Sequence, residues 1–233
     1  MSLASPRLAT LAGPLGSAEP TFDHSAWARV LARFVRAGRV DYAGLAHSRR
    51  DLDAYLALLG RAQASNLPPR EQLAFWINAY NACVVAGVLR SWPVRSVREA
   101  PEFFRRPRCQ VAGKTRALDE LVQDIIRPTF KDARALLALA PGTRGGPPLA
   151  SVPYAGAQLE AALDTQARAY LAAPVGAKVR GSVVRLSALF NWYADDFVRA
   201  AGTVPAFVAR YRTLPAQPHI EYLDYDWSLN VRD

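Results

Sequence analysis

Asn78 and Asn81 stand in a run, Leu73 to Leu89, that is otherwise almost wholly apolar. A carboxamide can donate and accept hydrogen bonds, so the pair could bind a ligand or a backbone. It cannot be buried idle, because an unpaired buried amide costs about 1–3 kcal/mol. Three residues apart on a helix, the two side chains share one face. That face reads either as the polar wall of a cleft, with Trp76 and Tyr80 beside it, or as two clamps on a neighbouring loop.

Nucleophilic chemistry would have to come from Cys83, served by His219 and Asp224 or Asp226. Cys83 lies two residues past Asn81, hence about 200° around the helix, on the side of Trp76, Ala79 and Ala86. That side belongs to the core. With Cys109 it could form one disulfide in an oxidising compartment, but its apolar setting favours two buried free thiols. His24, His47 and His219 show no ligand spacing, so neither a metal nor a cofactor is expected. Asp195 and Asp196 point about 100° apart on a helix and read as surface acids. Asp132 with Arg134 is the remaining polar pair near the asparagine face, suited to holding a ligand or to a structural ion pair.

The elements that must position these groups are mostly helical. Ser25 caps a first helix with apolar positions Trp27, Val30, Leu31, Phe34 and Val35. Leu52, Tyr55, Leu56 and Leu59 mark a second. The Asn66 to Pro69 break opens a third, which carries the asparagines and ends by Trp92-Pro93. A hairpin follows around Cys109 to Ala117, then a short helix through Leu118, Leu121, Val122, Ile125 and Ile126. Periodicity leaves Ala135 to Ala140 open between strand and helix. Val183 to Leu186 reads as a strand and Ser187 as the cap of a helix through Phe197. A last helix near Val204 to Tyr211 precedes an extended segment from Ile220. Helices first and strands later predict an α+β fold, its helix-rich N-terminal half packed on a small, mostly antiparallel sheet. Residues 1–22, rich in Ala, Gly, Pro and Ser, are expected to be a flexible tail, and residues 23–233 a single domain.

With 233 residues, 51% of them hydrophobic and 21% charged, the composition is that of a folded domain. The net charge of +9 permits contact with polyanions or acidic surfaces. Eight Lys and Arg fall between Arg90 and Arg116 against Glu99 and Glu102, but no nucleic-acid motif accompanies them, and sequence-specific nucleic-acid binding is not expected. No run of about 18 apolar residues lacks a polar break, so no membrane span is expected.

Phe75-Trp76-Ile77-Asn78-Ala79-Tyr80-Asn81 resembles the FWINxYN signature of the DUF547 family, a group named for its undefined function. Trp27, Gly38 to Tyr42, Leu118 to Leu121 with Ile125 to Pro128, and Tyr222 to Asn230 resemble further family segments in the right order. The family's central motif, DPRxHFALxCG followed by Cys-Pro, falls on residues 132–147. Asp132, Arg134, Gly142 and Pro147 fit it. Leu136 stands at the histidine position, and Pro141 and Gly146 stand at the two cysteine positions. None of these three can transfer a proton or act as a nucleophile. Family position makes Ala135 to Ala140 a strand, and the layout of the family is loosely papain- or transglutaminase-like. The resemblance also implies an extracytoplasmic home, periplasmic or secreted, with a leader absent from this chain.

Three functions follow as expectations. The first is a non-catalytic binding or scaffold protein with a polar cleft of Trp76, Asn78, Tyr80, Asn81, Asp132 and Arg134, taking an unknown small molecule or protein. The second is a thiol-dependent acyl-transfer or hydrolase-type enzyme using Cys83 and His219. The third is a basic envelope protein that binds polyanions.

Overall fold

In the computed structural model, which describes residues 19–106 and 108–232, the chain is built around one long internal helix. Helix α1 (Ser25–Phe34) buries Trp27, Val30, Leu31 and Phe34, the stripe that helical spacing requires. Ser25 is not its cap. His24 holds that position, while the Asp23 carboxylate accepts from the Ser25 N–H at 2.8 Å. Strands β1 (Val35–Arg36) and β2 (Arg39–Val40) form a minimal hairpin. Helix α2 (Tyr42–Ala46), capped by Asp41, follows, and then α3 (Arg50–Arg61), which turns Leu52, Tyr55 and Leu59 inward.

Helix α4 (Pro69–Ser91) starts on a proline, whose missing N–H costs nothing at the first helical position, and stops two residues before Pro93. Every residue from Leu73 to Leu89 is buried. A helix that is apolar all round satisfies itself only in the interior, and the rest of the fold is wrapped about this one. Among the described residues it alone is long and apolar enough to cross a membrane, and 94% of its most apolar window is buried inside the protein.

Strands β3 (Cys109–Val111) and β4 (Lys114–Arg116) make the expected hairpin. Its turn residues, Ala112 (φ 50°) and Gly113 (φ 76°), both take the left-handed conformation that a two-residue turn of matching twist needs. The hairpin hangs on α3 through Ala112 N to Leu59 O and Gly113 N to Gly60 O, both 2.9 Å. Helix α5 (Leu118–Glu120) runs through a π-helical stretch, Leu121–Ile126, into α6 (Arg127–Phe130).

The strand expected over Ala135 to Ala140 is instead a 3₁₀ helix, Ala133–Leu137, followed by an irregular segment. Asp132 caps it by accepting from Arg134 N. Asn81 meets the backbone of Ala138 and Ala140, the groups a strand neighbour would have paired. An all-apolar run of this length is buried in either conformation, so its composition could not distinguish them.

Helix α7 (Leu159–Ala172) leads into β5 (Ala177–Arg180) and β6 (Val183–Ser187). Ser187 Oγ then accepts from Leu189 N at 3.3 Å, but the predicted helix breaks at Tyr193 into α8 (Leu189–Trp192) and α9 (Ala194–Ala201). Helix α10 (Val204–Ala209) and strand β7 (His219–Leu223) complete the order. The fold is α+β with a helix-rich N-terminal half. Among the described residues its strands form three small sheets rather than one, antiparallel except where β7 joins β6 in parallel, Leu186 opposite Tyr222.

The final segment sews distant parts together. Asn230 accepts from Val40 N through its backbone and from the Tyr42 hydroxyl through its side chain, and Leu229 bridges to Thr143. One buried apolar cluster runs from Trp27 to Leu229. The expected tail lies outside the described residues as far as residue 18. Its last residue, Phe22, packs edge-on against Phe75 at 4.8 Å and donates its N–H to Glu71.

Candidate functional site

The two asparagines are spent on backbone. Asn78 Nδ2 donates to Tyr154 O at 2.7 Å and its Oδ1 accepts from Tyr154 N at 3.0 Å. Asn81 Nδ2 donates to Ala138 O at 3.1 Å and its Oδ1 accepts from Ala140 N at 2.8 Å. Each amide thus acts as a strand neighbour for a loop that has none. Both are at most 2% exposed.

Next to Asn78 lies a buried polar group that no sequence spacing connects. Glu71 Oε1 accepts from Phe22 N and its Oε2 from Gly156 N at 2.6 Å. Position 156 must be glycine, because a Cβ there would sit 2.5 Å from Glu71 Oε2. His24 Nδ1 is 2.7 Å from the Tyr55 hydroxyl, and its Nε2 is 3.9 Å from Glu71. Burial drives the His24 pKa down to about 4, against the opposing pull of Glu71 and Asp23. This cluster ties the first described residues to α3, α4 and the loop before α7.

Asp132 and Arg134 do meet, but among other acids. Arg134 donates to both oxygens of Asp132 (3.0 and 2.7 Å), to Glu160 (2.5 Å) and to Asp164 (2.9 Å). The hydrogen bonds to Asp132, then those to Asp164 and Glu160, outweigh burial and hold the guanidinium charged. The network fastens the 3₁₀ segment to α7. Trp76 packs at 5.1 Å against Phe75, with Arg116 over its ring at 5.8 Å.

The expectation of two free thiols is overturned. Cys83 and Cys109 form a disulfide, their Cα atoms 5.8 Å apart, joining α4 to β3. Helical geometry does turn Cys83 to the core, and there the β3 hairpin presents Cys109. A disulfide sulfur is not a thiolate, which removes the nucleophile the Cys83–His219 pairing requires. His219 is itself exposed on β7, near Glu221. Asp196, expected at the surface, is 4% exposed and bound by Arg127 and Arg199. Among the described residues no group of three or more His, Cys, Asp or Glu could hold a metal ion.

The cleft opens elsewhere, on the Tyr80 side of α4. It is a pocket of about 150 Å³ walled by the rings of Tyr80, Phe104, Trp192, Tyr193, Tyr225 and Trp227. Leu136 and Pro141 are also in its wall. These are the positions that the resemblance to DUF547 sets against the histidine and first cysteine of its central motif. Gly146, at the second cysteine position, abuts them: a Cβ there would lie 2.5 Å from Pro141 Cγ and 2.7 Å from the Tyr225 hydroxyl. The Pro141 ring and the Tyr225 phenol therefore fill the space that a side chain at 146 would need. Leu136 and Pro141 thus give this wall apolar side chains, and Gly146 packs behind Pro141 and Tyr225.

Trp192, Tyr225 and Trp227 form the mouth. Trp192 lies 4.8 Å from Tyr225 and stacks at 5.7 Å on Trp227, and it remains 48% exposed. Tyr225 shares a 2.7 Å hydrogen bond with Thr143, and burial raises its phenol pKa, as it does that of Tyr80. Of the site residues expected from sequence only Tyr80 lines this pocket. Asp119 comes from α5, Trp192 and Tyr193 from the end of α8, and Tyr225 and Trp227 from the segment after β7. The four aromatic residues belong to the aromatic-rich last quarter of the chain, and Asp119, Tyr225 and Trp227 fall in segments that resemble DUF547, but no spacing joins them into one site.

Residues 64–171 match the model of the family described as "Protein of unknown function, DUF547". No curated protein and no solved structure matches the chain. The matched region supplies the floor of the pocket, including Tyr80, Leu136 and Pro141. The mouth lies beyond it.

Proposed function

Through residues 64–171 the chain belongs to the DUF547 family, and within that family we propose that it is a non-catalytic binding module whose ligand enters the aromatic pocket. The observation that carries this reading is the pocket wall itself. Leu136 and Pro141 stand where the resembled motif has a histidine and a cysteine, and aromatic rings line the same pocket. A mainly apolar, aromatic-lined concavity with few polar groups is the usual form of a small-ligand site. The polar cleft on the asparagine face gives way in this reading to the neighbouring face of the same helix, since both carboxamides already hold backbone.

An extracytoplasmic home belongs to the same proposal, supported by the Cys83–Cys109 disulfide, since such bonds persist in oxidising compartments. A thermal-shift screen of small aromatic, ammonium and sugar ligands tests the reading. Ligands that raise the melting temperature of the native chain should lose that effect on Trp192→Ala. A screen with no such ligand, or turnover of any of them that requires Asp119 or Tyr80, would overturn it.

A second reading rests on the exposure of Arg95, Arg98, Arg105, Arg106 and Lys114, a basic face open to polyanions. Salt-dependent heparin retention that drops when these are changed to Ser supports it; retention equal to that of a neutral protein rejects it.

A further inference from the structure

The pocket has a charge pattern opposite to that of the protein. The chain carries 29 Lys and Arg, yet none lines the pocket, and its one charged wall residue is Asp119. The Asp119 backbone is fixed by its N–H donating to Phe104 O at 2.9 Å. Its carboxylate forms no hydrogen bond or ion pair with any described residue. Arg105 is the cation that pulls its pKa down, against a larger upward push from burial.

The rings around it attract cations elsewhere. Arg98 sits 4.2 Å over Trp227, and Arg127 sits 5.0 Å over Tyr193, neither of them lining the pocket. The face of an aromatic ring is electron-rich, and rings set around a cation are the known way of holding one that is too alkylated to donate hydrogen bonds. We propose that this pocket binds an organic ammonium ion, its alkylated head among Tyr80, Tyr193, Tyr225 and Trp192 and its charge balanced by Asp119. The inference rests on the reading of the pocket as a ligand site and names the class of that ligand.

Size and polarity narrow the choice. A volume of about 150 Å³ is the liquid share of about five water molecules, enough for a trimethylammonium head with a short tail. A sugar of that size would bring hydroxyls on every edge. The pocket offers them Asp119, the indole N–H groups of Trp192 and Trp227, and three phenols, of which Tyr225 is engaged with Thr143 and Tyr193 with Gln123, fewer free partners than a sugar's hydroxyls need. An alkylated ammonium asks only for apolar surface and one negative charge.

The test is a titration of the full chain, followed by tryptophan fluorescence at fixed ionic strength, with choline and with 3,3-dimethylbutan-1-ol, its uncharged carbon isostere. Choline should give a saturable change, and the isostere should bind at least ten-fold more weakly. Asp119→Asn should weaken choline about ten-fold, leave the isostere unchanged and keep the native melting temperature. Equal binding of the two probes, both lost in Trp192→Ala, would overturn the ammonium assignment while keeping the pocket as a ligand site. Binding of methyl glucoside in place of choline would overturn it in the same way. No binding by any of the three would overturn the assignment, and the thermal-shift screen then decides separately whether the pocket takes another ligand.

Discussion

Asn78 holds Tyr154 by both faces of its peptide, donating to the carbonyl at 2.7 Å and accepting from the N–H at 3.0 Å. Asn81 repeats the device three residues on, against Ala138 and Ala140. The two amides act as a short artificial strand on a helix, and the loops they hold are those that carry Leu139, Pro141 and the approach to α7. Asn78→Leu or Asn81→Leu leaves a buried carbonyl and a buried N–H unpaired. Each should cost about 2–3 kcal/mol. Urea denaturation measures this directly, and an unchanged midpoint in both variants would deny the clamps any role in stability.

The Cys83–Cys109 bond closes a loop of 26 residues between the central helix and the β3 hairpin. Loop-closure entropy for that length corresponds to on the order of 3 kcal/mol. The Cys83→Ala, Cys109→Ala double variant should therefore unfold at clearly lower denaturant, and iodoacetamide should label neither native cysteine without prior reduction. Stoichiometric labelling of the unreduced, folded protein would contradict the bond.

How legible the chain is depends on which physical signal each part carries. The α1 stripe, α3 and the β3–β4 hairpin follow from periodicity and turn residues that are local. The burial of Asn78 and Asn81 follows too, because an apolar run from Leu73 to Leu89 has nowhere else to go. The segment after Asp132 is open between strand and helix on its own residues, and the strand that family position implies is not formed: Asp132 caps a 3₁₀ helix there, and the backbone beyond it pairs with Asn81, more than 50 residues away. The site is half hidden for the same reason. Tyr80 lies in the signature, but Asp119, Trp192, Tyr225 and Trp227 converge only when α5, α8 and the segment after β7 are packed together. His24 shows no metal spacing, and its partners Tyr55 and Glu71 are 31 and 47 positions away.

Arg134 serves three carboxylates with four side-chain hydrogen bonds, two of them to Asp132, which is more than the three N–H donors of an ammonium could supply. Its side chain is only 18% exposed, while those of Glu160 and Asp164 are about half exposed, so the network lies between the surface and buried limits. Arg134→Met should cost about 1–2 kcal/mol at pH 7, and Arg134→Lys should recover less than half of it. The hydrogen bond from Arg134 is the first cause of the lowered Asp164 pKa. Stabilisation of that kind is present above the ordinary carboxyl value of 3.8 and is lost as pH falls through the folded value. The gap between native and Arg134→Met should accordingly narrow below pH 3.8. A gap that stays constant down to about pH 2.5 would mean that packing of the arginine stem, not its charge, is what the variant removes.

His24 gives the protein an acid-side weakness of opposite chemistry. Its ring is buried between Tyr55, Glu71 and Asn78, and burial lowers its pKa from 6.5 to about 4. The unfolded chain therefore takes up this proton first as pH falls. Between 6.5 and about 4 the unfolded state binds more protons, so stability rises with pH across that window and the loss is complete below it. The two values together correspond to on the order of 3 kcal/mol, which is the cost of charging a largely buried ring. His24→Gln keeps a polar group near Tyr55 and has nothing to titrate. Its stability at pH 7 should fall modestly, but its slope between about pH 6.5 and 4.5 should be much flatter than that of the native chain. Urea midpoints at three pH values in the window suffice to see it. Parallel slopes in the two proteins would show that His24 is already protonated in the fold, and that Glu71, at 3.9 Å, overcomes the burial.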